Sequence, residues 1–264
     1  MVYQPTKLKA FLDQLNVRPK KHLSQNFLID QNILDKIVRF ADLKPSDLVI
    51  EIGAGPGALS EKLLKKAQVI AIEKDRVFAR ALLRLDHLEV LNEDVLKVDF
   101  STFKKCKVVA NLPYNITTPI LTKLVGYANI QSITIMVQKE VADRILSQPN
   151  TKDFSSLTLF LQYHAMLKKG FFVSRNCFYP KPSVDSYVLQ LTLHQKYRIK
   201  RAEEFFQIIR KCFQQRRKMI KTTLKEDFDR AHLEAFFGKR RPENVSLDEW
   251  LTFFQKIPAQ QHNK

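Results

Sequence analysis

The sequence predicts an α/β protein with a doubly wound, mostly parallel sheet, an antiparallel edge on that sheet, and a small all-helical domain at the end of the chain. Three observations predict this class. Short apolar runs alternate with segments of helical spacing between residues 48 and 147. Two further apolar runs follow, separated by a segment rich in aromatic residues and proline. From Ala202 onward the strand signals stop and only helical spacing remains.

The parallel part is predicted from short runs that favour buried strands. These predicted strands lie at residues 48–52, 69–72, 88–91, 107–110 and 133–137. Helical spacing fills the intervals between them, at residues 58–66, 76–85, 118–127 and 139–147. Strands and helices that alternate in this way pack as a doubly wound sheet with right-handed crossovers.

The last third of the chain follows a different pattern. Predicted strands at residues 167–173 and 186–193 are joined by a short loop, which is typical of an antiparallel edge. Helices are predicted at residues 203–225, 233–237 and 247–255. We therefore expect two domains, residues 1–197 and residues 198–264.

Composition limits the kind of partner. The 264 residues carry 44 Lys and Arg against 27 Asp and Glu, which gives a formal net charge of +17. A polyanion is the natural partner of such a chain, and we expect nucleic acid. We expect no membrane partner, because no basic amphipathic helix stands free at either end, and no run approaches the roughly 18 apolar residues that a membrane span needs. The polar, basic N-terminal stretch lacks the apolar core of a signal peptide.

The cysteines indicate a reducing compartment. Cys106, Cys177 and Cys212 are far apart and odd in number, and their spacing fits neither a disulfide framework nor a metal site. We therefore expect reduced thiols, no bound metal and a cytoplasmic location.

A glycine-rich turn follows the first parallel strand. Gly53, Gly55 and Gly57 permit a positive φ and a close approach of the backbone to a ligand, and we expect Gly53 and Gly55 to contact a cofactor. A helix predicted to begin at Ala58 adds free N–H groups and a dipole that attract an anion. The turn alone is compatible with NAD, FAD or S-adenosylmethionine.

Acidic residues end the next two strands. Glu73 lies twenty residues after Gly53, where a carboxylate can accept both hydroxyl groups of a ribose. Asp94 follows the third strand and is placed to accept a hydrogen bond from the adenine amine of a cofactor. The turn and these two residues together predict a nucleotide-type cofactor.

The segment after the fourth strand decides between the cofactors. Asn111, Leu112, Pro113 and Tyr114 offer an amide side chain, a backbone carbonyl aimed by the rigid proline, and an aromatic ring. An aromatic amine is a poor nucleophile because its lone pair is delocalised, so its site must accept hydrogen bonds from it. The Asn111 side-chain oxygen and the Leu112 carbonyl are the expected acceptors, and Tyr114 can stack on the base. Hydride transfer needs none of these groups, so we predict methyl transfer to an exocyclic amine of adenine or a similar group.

These motifs resemble those of the ribosomal RNA adenine N6-dimethyltransferase family, in the branch that modifies the small subunit. The likeness covers nearly the whole chain, and its motifs follow one another in the family's order. They are Gln25-Asn26-Phe27-Leu28 and residues 51–60, 111–116, 138–142, 180–186, 215–218 and 241–243. The resemblance implies a Rossmann-like methyltransferase sheet. Without it, residues 25–28 read as the start of a helix with a buried Phe27.

The resemblance also implies the substrates. S-adenosylmethionine is the expected donor, and two adjacent adenosines near the 3′ end of small-subunit rRNA are the expected acceptors of two methyl groups each. By matching position, the expected cofactor contacts are Asn26, Leu28, Gly53, Glu73, Asp94 and Asn111. Phe178 matches an aromatic residue that packs on the target base opposite Tyr114. We expect a monomer that acts on rRNA within a pre-assembled small ribosomal subunit.

Basic residues cluster in the predicted C-terminal domain. Six of them form the expected RNA-binding set, called the docking cluster below: Arg210, Lys211, Arg216, Arg217, Lys218 and Lys221. Their spacing places several on one helical face, and such charges hold phosphates without reading sequence. An amine buried in base pairing cannot reach Asn111, so the target base must be looped or flipped out.

Other functions stay open at this stage. An Erm-type enzyme that acts on large-subunit rRNA is a close rival, although residues 215–218 favour the small subunit. A non-catalytic ribosome-assembly or transcription factor is a second alternative, and intact Glu73, Asp94 and residues 111–114 argue against it. A nicotinamide oxidoreductase is the least favoured.

Overall fold

The computed structural model describes residues 4–20, 23, 25–197 and 199–256. The chain divides into two compact units: Met1–Ala142 with Ala165–His194, and Asp143–His164 with Gln195–Lys264. The domain boundary expected between residues 197 and 198 stays a prediction, and Arg198 lies outside the described residues. The units differ from that division because residues 143–164 belong to the C-terminal unit.

Within the described residues, the first unit contains a main sheet of seven strands and a ribbon of two. The strands are β1 (Phe27–Leu28), β2 (Leu48–Ile52), β3 (Gln68–Ile72), β4 (Leu88–Leu91), β5 (Cys106–Asn111), β6 (Ile130–Gln138), β7 (Ala165–Val173), β8 (Phe178–Tyr179) and β9 (Ser186–Leu193). The main sheet has the order β4-β3-β2-β5-β6-β9-β7, and β1 pairs with β8. Strands β2 to β6 are parallel, and β9 is antiparallel to β6 and β7. The predicted fold class is confirmed.

The course of the chain through the sheet sets where a ligand can bind. From β2 the chain runs outward through β3 and β4, and then returns to place β5 on the other side of β2. Ile52, at the end of β2, pairs with Ile72 on one side and with Ala110 on the other. The carboxyl ends of β2, β3 and β5 therefore open at one edge, at the reversal of strand order where open α/β sheets bind their ligands.

The inner parallel strands β2 and β5 were predictable because they are buried on both faces, whereas the edge strand β4 is partly exposed. Val49, Ile50, Val108 and Val109 have no accessible surface. Such strands read as continuous apolar runs rather than as alternating ones. The predicted ends of β2 to β5 therefore fall within one residue of the observed ends.

Helices also lie between and before these strands in the first part of the chain, and the last of them crosses the division after Ala142. They are α1 (Pro5–Gln14), α2 (Gln31–Phe40), α3 (Ser60–Leu63), α4 (Arg76–Leu82), α5 (Thr117–Leu124) and α6 (Lys139–Leu146). Neither α1 nor α2 was predicted. α2 has a clear signal, because Asp30 accepts the N–H of Ile33 at 3.1 Å and the buried side chains Leu34, Ile37 and Val38 lie along one face.

The second unit is helical in the part of the chain that the structure describes. Its helices are α7 (Ser156–His164), α8 (Ala202–Gln214), α9 (Ile220–Thr223), α10 (Arg230–Phe237) and α11 (Leu247–Gln255). Their core is aromatic: the ring centroids of Phe237 and Phe253 lie 4.5 Å apart, and Trp250 is buried beside them. None of the helices in the described ranges is long and apolar enough to cross a bilayer.

The helix predicted over residues 203–225 is in fact two helices. α8 ends at Gln214, residues 215–219 turn, and α9 begins at Ile220. Ile220 and Leu224 have no accessible surface, and the N–H of Ile220 donates to the Arg240 carbonyl at 3.0 Å. The chain turns because these two side chains enter the aromatic core. No glycine or proline marks that turn in the sequence.

The three cysteines, all in described positions, are free thiols. Burial raises the pKa of Cys106 to about 11 and that of Cys212 to about 12. Both side chains therefore remain protonated at neutral pH, which makes them poor nucleophiles.

Candidate active site

A cavity of about 360 Å³ opens at the carboxyl edge of the parallel strands. Its walls come mainly from segments that follow β2, β3, β4 and β5, together with the segment around β1. The main lining segments are residues 25–28, 51–56, 72–74, 93–95 and 111–116. The fold thus gathers segments that are far apart in sequence at the reversal of strand order.

The glycine turn after β2 cannot accept larger residues at two positions. A Cβ at Gly55, where φ is +52°, would lie 3.1 Å from the Phe27 ring. A Cβ at Gly57, where φ is +89°, would lie 2.9 Å from Leu82 of α4. Both φ values fall in the left-handed region that favours glycine. The turn therefore packs between Phe27 and α4, and these contacts hold its backbone at the cavity wall.

The helix after this turn differs from the prediction. It spans Ser60–Leu63, whereas helical spacing predicted residues 58–66. The N–H of Gly57 donates to the Ala54 carbonyl at 2.9 Å, so the chain is still turning at that point. Helical hydrogen bonding nevertheless begins there, because the N–H of Glu61 donates to the Gly57 carbonyl at 3.0 Å, and the anion-attracting role of this helix stays a prediction. The turn backbone and the acidic groups beside it are the binding features that this region presents.

Glu73 is fixed at the end of β3 by backbone hydrogen bonds. Its Oε2 accepts the N–H of Gly55 at 2.8 Å, and its Oε1 accepts the N–H of Asp75 at 2.8 Å. Burial raises the pKa of Glu73, while the two N–H groups act in the opposite direction. Each carboxylate oxygen keeps a further lone pair, so Glu73 can still accept hydrogen bonds from a ligand in the cavity.

Asp94 supplies a second carboxylate to the cavity wall. Lys74 donates to its Oδ2 at 2.9 Å, and the N–H of Leu96 donates to its Oδ1 at 3.0 Å. The hydrogen bond from Lys74 is the main reason that the pKa of Asp94 is lowered. Asp94 is therefore ionised at neutral pH and acts only as an acceptor.

Asn111 is the last residue of β5, and its amide has one defined orientation. Its Nδ2 donates to the backbone carbonyl of Asn26 at 3.3 Å. Both residues line the cavity. Because the nitrogen is engaged with Asn26, the oxygen Oδ1 is the end of the amide that is left to accept from a ligand.

The three residues after Asn111 complete this wall. The N–H of Leu112 donates to the Met136 carbonyl at 3.3 Å, and no described residue donates to the Leu112 carbonyl. Pro113 has φ −58° and ψ 128°. The Tyr114 hydroxyl lies 3.0 Å from Ser186 Oγ, which holds the ring in place, and burial raises the pKa of Tyr114. The four residues predicted at this turn thus lie together in the cavity wall.

The ribbon of β1 and β8 accounts for two further predicted positions. Leu28 pairs with Phe178, and Phe27 pairs with Tyr179. Phe27 is buried, as predicted, but it lies in a strand and does not begin a helix. Asn26 and Leu28 line the cavity, whereas Phe178 is buried in the core and is not among the lining residues. The stacking role of Phe178 opposite Tyr114 therefore stays a prediction.

The family profile described as ribosomal RNA adenine dimethylase matches residues 16–258 of the sequence. The chain belongs to this family. One relative is the ribosomal RNA small subunit methyltransferase A of Protochlamydia amoebophila (strain UWE25). It is 43% identical over 276 residues, which cover 97% of this chain and 97% of the relative. The family resemblance predicted from the motifs is confirmed.

Solved structures agree with this assignment to the dimethylase family. A dimethyladenosine transferase from Plasmodium falciparum superposes with a TM-score of 0.77 at 28% identity, and the match covers 87% of this chain and 96% of that chain. The 23S rRNA methyltransferase ErmE superposes with a TM-score of 0.71 at 26% identity, with 87% and 98% covered. The Rossmann-like methyltransferase sheet expected from the sequence is thereby confirmed.

Glu51 is a cavity residue of this dimethylase to which the sequence analysis assigned no role. It lies within β2 and is 1% exposed, and Ser60 Oγ donates to its Oε2 at 2.5 Å. Burial, with the nearby Glu73 charge adding to it, raises the pKa of Glu51 to about 8, so its carboxyl group is largely neutral at pH 7. A single acidic residue inside an apolar strand is the signal in the sequence from which this site residue could have been predicted.

The docking cluster does not lie on one helical face, which corrects the prediction. Arg210 and Lys211 belong to α8, Lys221 belongs to α9, and the other three residues lie in the turn between these helices. The reason is the chain turn that carries Ile220 into the core.

Half of the docking cluster is also engaged within the second unit. Lys211 pairs with Asp227 at 2.5 Å, Lys221 pairs with Glu234 at 2.6 Å, and Arg216 pairs with Glu243. Among the described residues, Arg210, Arg217 and Lys218 have no ion-pair partner, and all three are exposed. These three are the members of the cluster best able to contact a polyanion.

Proposed function

We propose that this protein transfers methyl groups from S-adenosylmethionine to N6 of two adjacent adenosines near the 3′ end of small-subunit rRNA, giving dimethyladenosines. The arrangement of Asn111 carries this proposal: its amide nitrogen is held by Asn26, and its oxygen remains to accept from an amine. The relative from Protochlamydia amoebophila, named as a small-subunit methyltransferase and 43% identical along nearly its whole length, supports the choice of substrate.

The residues of the cavity fit an adenosine-type cofactor. Glu73 is a buried acceptor beside the glycine turn, suited to ribose hydroxyls, and Asp94 is an ionised acceptor suited to an adenine amine. Asn26, Leu28, Gly53 and Gly55 would form the remaining walls around the cofactor. When bound, S-adenosylmethionine supplies a methyl group on a positively charged sulfur.

The chain itself would orient the acceptor amine. In the first transfer, Asn111 Oδ1 and the Leu112 carbonyl accept the two amine hydrogens, which turns the nitrogen lone pair out of conjugation with the ring. In the second transfer one hydrogen remains to be accepted. After each methyl group arrives, the positively charged nitrogen releases one proton to solvent. Tyr114 stacks on the base, and such stacking contributes roughly 1–3 kcal/mol per base. None of the described lining residues is a histidine. Positioning and the two acceptors, rather than a strong general base, therefore provide the acceleration.

RNA binding would rest on charge outside the cavity. The net charge of +17 and the exposed Arg210, Arg217 and Lys218 fit a partner that presents phosphates. We place the reaction in the cytoplasm, on rRNA within a pre-assembled small subunit, with the enzyme acting as a monomer.

Methylation of large-subunit rRNA is the second candidate, because the fold also matches ErmE with a TM-score of 0.71. Both candidates are tested by transfer of tritiated methyl groups to undermethylated 30S particles and, separately, to 50S particles. We expect dimethyladenosine in the rRNA of the 30S particle alone. Label in 50S rRNA would support the ErmE-like activity. Binding of S-adenosylmethionine without transfer to either particle would support a non-catalytic assembly factor.

A further inference from the structure

Asp75 is a buried acidic residue that joins two cavity residues, Glu73 and Gln25, to Lys20 and to the start of α4. It lies just after β3 and caps α4, because its Oδ1 accepts the N–H of Val77 at 3.0 Å. Its Oδ2 accepts from Lys20 Nζ at 2.8 Å and from Gln25 Nε2 at 3.2 Å. Its own N–H donates to Glu73 Oε1 at 2.8 Å. Oδ1 thus caps α4, and Oδ2 binds the segment before β1.

The charge on Asp75 is balanced by Lys20. The Asp75 side chain is 3% exposed, whereas the Lys20 side chain is 42% exposed. Burial acts to raise the pKa of Asp75, but hydrogen bonds from Lys20, Val77 and Gln25 outweigh it and lower the pKa. A buried carboxylate without a partner is costly, so the ion pair draws Lys20 toward the end of β3.

Gln25 extends this connection toward the reaction centre. Its Oε1 accepts the N–H of Lys20 at 2.8 Å while its Nε2 binds Asp75. The next residue, Asn26, offers the carbonyl that holds the Asn111 amide at 3.3 Å. Hydrogen bonds and one covalent link therefore connect Glu73, Asp75, Gln25, Asn26 and Asn111 in that order.

We infer that Asp75 is a positioning residue. Its Oδ2, hydrogen-bonded to Lys20 and Gln25, fixes the segment around Asn26 relative to Glu73. This arrangement shapes the cofactor site and sets the orientation of Asn111. This inference rests on the proposed function. It differs from a role in helix capping alone, which needs only Oδ1 and Val77.

The substitution Asp75→Asn separates these two roles. Asparagine caps helices about as well as aspartate, so the Val77 hydrogen bond can survive. Its Nδ2 replaces Oδ2 and cannot accept from Lys20 or Gln25. We expect the Kd for S-adenosylhomocysteine, measured by titration calorimetry, to rise by at least about ten-fold, because the hydrogen bonds of Oδ2 with both Lys20 and Gln25 are lost. The Tm of the free protein should change by only a few degrees.

Lys20→Gln removes the same ion pair from the exposed partner. It leaves the buried Asp75 carboxylate without its cation, so the Tm is measured beside the Kd to separate a loss of folding from a loss of binding. It should weaken binding by no more than Asp75→Asn does, and the double variant should bind about as weakly as Asp75→Asn alone, because that variant already lacks the interaction with Lys20. Lys107→Gln is the matched control. It breaks a Lys107–Asp47 ion pair of the same 2.8 Å length near the opposite ends of the strands, and should leave the Kd unchanged.

The outcomes distinguish this inference from the function on which it rests. Weaker binding in both Asp75→Asn and Lys20→Gln, with non-additive effects, is the expected result. Wild-type affinity in Lys20→Gln, or fully additive losses in the double variant, would overturn the positioning role while the proposed cofactor site stands. Failure of the wild-type protein to bind S-adenosylhomocysteine would overturn the proposed function together with the inference.

Discussion

Asn26 and Asn111 are hydrogen-bonded across the cavity, with Asn111 Nδ2 donating to the Asn26 carbonyl at 3.3 Å. The two residues are 85 positions apart in sequence, so only the folded chain brings them together. The bond decides which end of the Asn111 amide meets a ligand. Asn111 Oδ1 is therefore the atom that faces a ligand as a hydrogen-bond acceptor.

Asn111→Ala is expected to slow methyl transfer by roughly 10²–10³, the loss typical of one preorganised hydrogen-bonding group in an active site. Single-turnover transfer to 30S particles measures this step separately from product release. Asn32→Ala, on the exposed side of α2, is the control and should transfer at the wild-type rate. A wild-type rate in the Asn111 variant would remove this residue from the reaction.

Glu73→Gln is expected to weaken binding of S-adenosylhomocysteine by at least about ten-fold, because a charged acceptor for ribose hydroxyls is lost. The variant keeps an oxygen for one of the two backbone N–H groups and leaves the other without an acceptor, so the Tm is measured beside the Kd to separate lost stability from lost binding. Calorimetric titration gives the Kd directly. Glu89→Gln, an exposed carboxylate on β4, is the control. Equal Kd values for the Glu73 variant and the wild type would place the ribose elsewhere.

Replacing both Arg217 and Lys218 by Glu is expected to weaken rRNA binding. The magnitude of the slope of log K against log salt should also fall, by about one for each phosphate that the variant no longer neutralises. Arg216 is less suitable, because its substitution also breaks the ion pair with Glu243. The matched control reverses the exposed Lys65 and Lys66, which changes the net charge equally. Identical slopes for both pairs would indicate a general charge effect and exclude a specific docking role.

Glu51 should make the protein less stable as pH rises. Its pKa is about 8 in the folded protein and near 4.5 in the unfolded chain, so the folded state holds the extra proton between these values. The free energy of unfolding therefore falls across this range, by about 1.4 kcal/mol per pH unit for one proton. Denaturant titrations at several pH values between 5 and 8 give the free energy of unfolding at each pH. In Glu51→Gln, the fall of this free energy per pH unit should be smaller by this amount. An unchanged slope would mean that Glu51 is ionised in the folded state.

Much of the fold could be predicted because the parallel strands carry strong local signals. β2, β4 and β9 were predicted with their observed ends, β2 from a continuous apolar run and β9 from apolar residues that recur among polar ones. The errors lie where tertiary packing overrides helical spacing. Helical spacing runs through residues 215–219, yet the chain turns there to bury Ile220 and Leu224. The spacing from residue 58 is likewise helical, but the glycine turn delays α3 to Ser60.

The predicted residues of the candidate site are largely gathered in one cavity, because most of them end parallel strands and such ends share one edge of a sheet. Glu73, Asp94 and Asn111 are of this kind. Asp75 carries no comparable signal, since its sequence context suggests only a helix cap. Its contacts with Lys20 and Gln25 span 55 and 50 positions and exist only in the folded protein.

The division of the chain between its two units has a practical consequence. The backbone passes from one unit to the other after Ala142, after His164 and after His194. A fragment cut at residue 194 would keep Phe154, Leu159 and Tyr163 but lose the aromatic side chains that cover them in the second unit. Its freshly uncovered apolar surface would favour aggregation. Isolating the catalytic half in soluble form therefore calls for excising residues 143–164 as well, not for trimming the C-terminus alone.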